Sequence, residues 1–312
     1  MRTGEGAMAG QLNVGDWNAI VRTLRDGDGV VPFLGAGASL GFAGPSLPTG
    51  GELAKILAGI CQYPGVEQED FLRVCQYYEL WSDPQELRRE IVQQISVKGA
   101  KPGAIHQTLA SFPLTHVLTT NYDRFMETAF QDAGKSPKVI VHDAFSTTAP
   151  KVPAGTEKCP VVYKLHGELD NPPSMICTED DVIQFLARLL RDDPPLPESV
   201  KALFESRPFL FIGYGLRDWN IRVLLRAMRP RNRQGYIKSY AIQRRPTDEG
   251  LAQEWDRTVI YWDKRENITC YDYEAREFLT MLGNLYNRRS APQPAGAGLA
   301  AAAPGAPPRT ET

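Results

Sequence analysis

Four short segments hold the residues whose types and spacing could do chemistry. They read Gly35-Ala36-Gly37-Ala38-Ser39, Thr119-Thr120-Asn121-Tyr122-Asp123, Lys164-Leu165-His166-Gly167 and Gly213-Tyr214-Gly215-Leu216-Arg217-Asp218. The first contains only small side chains. Glycine permits a sharp turn and lets backbone N–H groups approach an anion, and a dinucleotide's pyrophosphate is the usual guest of such a turn. A purely structural turn explains the same residues. The pattern is G-x-G-x-S, short of the full G-x-G-x-x-G, and no G-x-x-x-x-G-K-[ST] occurs, which argues against a P-loop nucleotide hydrolase. In the second segment, Asn121 either closes a turn or faces a ligand. Asp123 either caps the helix that follows or does chemistry, and the two roles are compatible. His166 precedes a glycine, where an imidazole can act as a base near neutrality. The other histidines, His106, His116 and His142, fall inside helix or strand positions. Gly213 and Gly215 again allow close backbone approach, and Asp218 reads as the N-cap of the next helix.

Each segment directly follows an apolar run. The runs at 30–34, 116–120, 160–165 and 208–214 read as strands, as do 138–142, 239–243 and 267–273. Between them, helical spacing covers 16–27, 50–60, 67–81, 84–97, 103–112, 123–134, two stretches within 179–206, then 218–229, 247–256 and 274–288. This alternation predicts an α/β fold: a Rossmann-like, mostly parallel sheet with helices on both faces and a smaller helical lobe over about 50–111. Such sheets bind ligands outside the carboxyl ends of their strands, which is where the four segments stand. Residues 1–13 read as a flexible leader, and the Ala/Pro/Gly-rich residues 290–312 as a disordered tail.

Composition narrows the class. The chain has 312 residues, 42% hydrophobic and 23% charged, with a formal net charge of −2. No global basic field argues for nucleic acid or an anionic membrane, and the local basic run "RAMRPRNRQ" reads as a solvated helix end. No apolar run is long enough for a transmembrane helix, and the N-terminus lacks the apolar stretch of a signal peptide, so a cytoplasmic location is expected. Five cysteines, an odd number with no C-x-x-C, suit reduced thiols and predict no zinc site.

Taken in order, the four segments resemble the sirtuin (SIR2) superfamily. They are most similar to its bacterial SIR2-like branch, whose members often read "PFLGAGAS", "TTNYD", "KLHG" and "GYSLRD". The resemblance spans roughly 16–288, inside a domain expected over 14–289. It implies NAD+ as the substrate, with Gly35, Ala36, Gly37, Ser39, Thr120, Gly213, Gly215 and Asp218 binding it. It implies catalytic roles for Asn121 beside the nicotinamide ribose, Asp123 as its acidic neighbour and His166 as the base. Gly215 stands where the family usually has serine. Protein deacylases of the superfamily carry four zinc cysteines after the histidine segment, whereas 167–207 contains only Cys177. They also carry a G-I-P-D-F-R-like segment, whereas 44–53 reads "GPSLPTGGEL". The resemblance therefore implies zinc-free hydrolysis of NAD+ to nicotinamide and ADP-ribose. The alternatives are a sensor that binds NAD+ or ADP-ribose without turnover and, further off, a deacylase. It further implies an anti-phage effector held at low activity until homo-oligomerisation or a separate protein partner switches it on, since no sensing domain is expected after residue 288.

Overall fold

The computed structural model describes residues 12, 14–25, 29–40, 47–193, 195–215, 219–228 and 237–290. Most of the expected leader, nearly all of the expected tail, Asp218 and the basic run beyond Met228 lie outside the described residues.

In chain order the elements are α1 (Val14–Arg25), β1 (Val31–Leu34), α2 (Gly50–Ile60), α3 (Phe71–Trp81), α4 (Pro84–Ile95) and α5 (Ala104–Ser111). Then come β2 (His116–Thr119), α6 (Phe125–Asp132), β3 (Lys138–Val141), β4 (Val161–Lys164), α7 (Glu179–Arg191) and α8 (Glu198–Ser206). The last are β5 (Phe209–Ile212), α9 (Trp219–Met228), β6 (Ser239–Ile242), α10 (Glu249–Glu266), β7 (Ile268–Tyr271) and α11 (Ala275–Ser290). Local chemistry sets many of the boundaries. Thr49 and Glu52 form a reciprocal capping box at α2, and Asp83 caps α4 just before its first residue, Pro84. The helix expected over 247–256 instead runs on to Glu266, because Trp255, Val259 and Trp262 continue one buried face.

The seven strands pair in parallel in the order β3-β4-β2-β1-β5-β6-β7. Both faces are covered, and the strands divide their side chains between them with a period of two. Phe33, Leu118, Tyr163 and Phe211 enter a core with α7, α8, α9 and α10. Leu34, Val117, Val162, Leu210 and Ile212 enter a second core with α1, α5, α6 and α11. A third cluster joins α2, α3 and α4 to Met175 and Cys177, so the lobe's own core spans these three helices while α5 packs against the sheet. Because every strand runs the same way, the loops after β1, β2, β4 and β5 leave from one edge of the sheet.

His142 is buried behind that edge, its Nδ1 3.0 Å from the Tyr163 hydroxyl. Burial pulls its imidazole down to about 4, with Arg188 adding to the fall and Asp143 opposing it. The unfolded chain takes up this proton near pH 6.5, whereas the folded chain resists it to about 4. Stability from this group is therefore complete above about pH 6.5 and is lost as pH falls towards the folded value. Urea titrations at pH 7, 6 and 5 should show the unfolding free energy dropping with acidification. His142→Phe should flatten that slope by up to about 1.4 kcal/mol per pH unit. Equal slopes for the two proteins would refute the assignment.

Candidate functional site

The small residues after β1 lie against a second backbone. Gly35 N–H donates to Ile212 O at 2.9 Å and Gly37 N–H to Gly213 O at 3.0 Å. A Cβ at Gly35 would fall 2.7 Å from Gly213 O, and one at Gly37 would fall 2.9 Å from Gly213 Cα. Gly213 has φ +79°, and a Cβ there would meet Ala38 N at 2.3 Å. The loops after β1 and β5 are thus packed glycine to glycine. Gly35 and Gly37 stand behind the cavity wall with their N–H groups spent inside the protein, and Ala36 is the exposed residue of the turn. The glycines thus serve a structural turn, one of the two readings open for these small residues.

Ala36, Ser39, Thr120, Asn121, Asp123, His166, Gly213 and Gly215 all line one cavity of about 780 Å³, within the size range of cofactor and substrate sites. Its roof is the helical lobe, through Leu53, Phe71, Leu72 and Ile95, and α7 adds Val182, Phe185 and Leu186. The lobe is tied to α7 by part-buried polar contacts. Arg88 donates to both carboxylate oxygens of Asp181 at 3.2 and 3.0 Å and pairs with Glu79 at 3.3 Å.

The Asn121 side chain is held on both amide hydrogens. Nδ2 donates to Gly35 O and to Ser39 Oγ, each at 3.0 Å. A carbonyl oxygen only accepts, so the amide nitrogen must face Gly35 and Oδ1 is the acceptor that Asn121 offers to a guest. The Ser39 hydroxyl in turn donates to Asp123 Oδ2 at 2.7 Å. Asp123 Oδ1 accepts from Phe125 N–H at 2.9 Å, so the carboxylate serves the start of α6 and the site at once. Asn121 N–H donates to Thr119 Oγ1, and Thr119 Oγ1 donates to Leu34 O, which fixes the turn to β1.

His166 sits two residues past the end of β4, its ring edge-on to Phe185 at 5.4 Å. Burial lowers its imidazole to about 4, with His142 adding to the fall, so the ring is neutral at pH 7. Gly167 behind it has φ +84°, and a Cβ there would lie 2.3 Å from Ser174 O. This close approach lets Ile176 N–H reach His166 O at 3.1 Å.

Sequence reasoning passed over two contributors. Tyr214 lines the cavity, its hydroxyl 2.9 Å from Thr120 Oγ1 and donating to Leu34 O at 3.0 Å. Lys164 is fully buried beneath the turn after β2. The only sign of it in sequence is a charge inside the apolar run "PVVYKL". Among the described residues, no group of three or more His, Cys, Asp or Glu is placed to hold a metal ion, and no helix is long and apolar enough to cross a membrane.

The glycine contact makes a sharp prediction. Gly213→Ala should lower the melting temperature by the equivalent of about 1–3 kcal/mol or more, from positive φ and overpacking together. Gly215→Ala should leave it unchanged, because nothing lies within 4 Å of a Cβ there. Equal melting temperatures for the two variants would refute the contact.

Several known proteins are similar to this chain. A chain from Cytobacillus dafuensis named NAD(+) hydrolase ThsA is 25% identical over 264 residues, covering 83% of this chain and 51% of that protein. "Defense-associated sirtuin 2" of Bacillus subtilis is 27% identical over 164 residues, 52% of this chain and 15% of that one. A solved chain described as "Structural Basis for the Mechanism and Regulation of Sir2 Enzymes" aligns over 90% of this chain and 100% of its own, at 13% identity and a TM-score of 0.43. The chain spans about half the length of the ThsA relative that it matches. The sequence profile of the SIR2-like domain matches residues 115–271, from the first residue before β2 to the end of β7. This chain belongs to the SIR2-like domain family.

Proposed function

We propose that the chain cleaves the bond between nicotinamide and ribose in NAD+, giving nicotinamide and ADP-ribose. The observation that carries this reading is that Asn121, Asp123 and His166 line one cavity at the carboxyl edge of the sheet. The similarity to proteins named NAD(+) hydrolase supports it. The C1′–N bond breaks with its electron pair going to the pyridinium ring, which leaves as neutral nicotinamide. The oxygen of water then bonds to C1′, and its proton passes to a base. Asn121 Oδ1 accepts from a ribose hydroxyl or from that water, fixing its position. His166 is the base, acting on water or a ribose hydroxyl. The Asp123 carboxylate holds Ser39 and through it Asn121, and its charge favours the cationic transition state. Ala36, Ser39, Thr120, Gly213 and Gly215 shape the wall against the dinucleotide, and Gly35 and Gly37 keep that wall in place from behind.

Purified protein incubated with NAD+ should release nicotinamide and ADP-ribose, resolved by chromatography. Asn121→Ala and His166→Ala should each lower kcat by about 10²–10⁴, with thermal unfolding nearly unchanged. The lowered His166 value means that loss of the base on acidification should come near pH 4, not near 6.5. The profile of kcat/KM against pH should therefore stay nearly flat between pH 8 and 5.5. Tight NAD+ binding without nicotinamide release would favour a sensor. Elemental analysis should find zinc well below one per chain, and stoichiometric zinc would revive the deacylase reading.

The same reading makes the chain a cytoplasmic anti-phage effector that depletes NAD+, in line with the defence-associated relative. Its activity is then gated by self-association or a separate protein partner. Turnover per chain should rise with protein concentration or on adding such a partner, and full activity in a dilute monomer would remove the case for gating.

A further inference from the structure

Lys164 is an ammonium placed at the end of the strand next to β2, fully inside the protein. Taking such a group out of water costs several kcal/mol unless geometry returns it, so its contacts identify what it is for. Its Nζ lies 2.9 Å from Glu127 Oε1, but off the axis of a hydrogen bond. Burial pushes the Glu127 carboxyl above its ordinary value against the pull of Lys164. The aligned hydrogen bonds go elsewhere. Nζ donates to Asp123 O at 2.6 Å and to Tyr122 O at 3.2 Å. These two carbonyls belong to the turn between β2 and α6, where neither a strand nor a helix supplies their donors. Tyr122 O has a second donor in Leu169 N–H. Asp123 is the same residue whose carboxylate takes the Ser39 hydroxyl, and Ser39 takes the Asn121 amide.

We propose that Lys164 is a positioning residue for the NAD+ site, its ammonium clamping the Tyr122 and Asp123 carbonyls so that Asn121 and Asp123 face the cavity. The role rests on the NAD+-cleavage reading for its kinetic consequence, but not for its structural one. Lys164 is also two residues before His166, so one cation sets the catalytic turn after β2 against the strand that delivers the histidine. A plain stabilising ion pair makes a different demand. It needs Lys164 and Glu127 equally, whereas the clamp needs only the lysine.

Three variants of the full chain separate the two. Glu127→Gln keeps the ammonium and both carbonyl bonds, and its kcat should stay within about threefold of the parent. Lys164→Met breaks the same ion pair and also frees the carbonyls, so its kcat should fall by about 10²-fold with KM changed far less. The double variant Lys164→Met/Glu127→Met replaces a buried pair by apolar groups of similar volume and should recover thermal stability. It should not recover kcat. Hydrogen exchange gives a readout independent of turnover: amides of the 119–125 segment should exchange faster in the double variant and at the parental rate in Glu127→Gln. If the parent releases no nicotinamide, the proposed activity fails and the exchange comparison alone decides the clamp. Parental kcat or parental exchange of that segment in the double variant overturns the inference, as does an equal kcat loss in Glu127→Gln and Lys164→Met.

Discussion

The whole site depends on one close approach, that of Gly213 to Gly35 and Gly37. The central strand β1 pairs with β2 on one side and β5 on the other, with Leu34 opposite both Thr119 and Ile212. Once that register is fixed, the loops after β1 and β5 emerge side by side, and any side chain at these glycines would wedge them apart. Glycine here costs conformational entropy and returns a contact of backbone on backbone. From that contact the rest follows in sequence. Gly35 O, which accepts from Ala38 N–H, also takes the Asn121 amide from the β2 loop, and Ser39 comes within reach of Asp123.

The polar groups near the cavity are settled by two different means. Some are fixed by neighbours: Asp123 by Ser39 and Phe125 N–H, and Arg88 and Asp181 by each other. Those that can lose charge do so. Burial keeps His142 and His166 neutral at pH 7. A neutral ring at His166 adds no positive charge to the cavity.

Much of this was legible in the sequence, and the reason is geometric. A sheet buried on both faces writes near-continuous apolar runs, and a parallel sheet puts every post-strand loop on one edge. Locating four runs therefore located Asn121, Asp123 and His166 together. What stayed hidden depends on contacts between residues far apart in the chain. The smallness of Gly35 and Gly37 answers to Gly213, and the charge of Lys164 answers to carbonyls in another loop. The end of α10 was missed for a local reason, since "TVIYW" is rich in residues that also favour strands and only the packing of Val259 and Trp262 on the buried face decides for helix. Asp218 and most of the basic run lie outside the described residues.

The lobe is held by the same polar logic. Its three helices are inserted between β1 and β2 and roof the cavity, yet their firmest polar anchors reach α7 and the segment before it. Arg88 holds Asp181 with two bonds, and Asp181 also accepts from Cys177 and Thr178 N–H. Gln76 exchanges hydrogen bonds with Asp180 beside them. The lobe is thus joined to α7, and α7 shares the core of Phe33, Leu118, Tyr163 and Phe211, while the lobe's own cluster packs on Tyr122 between Asn121 and Asp123.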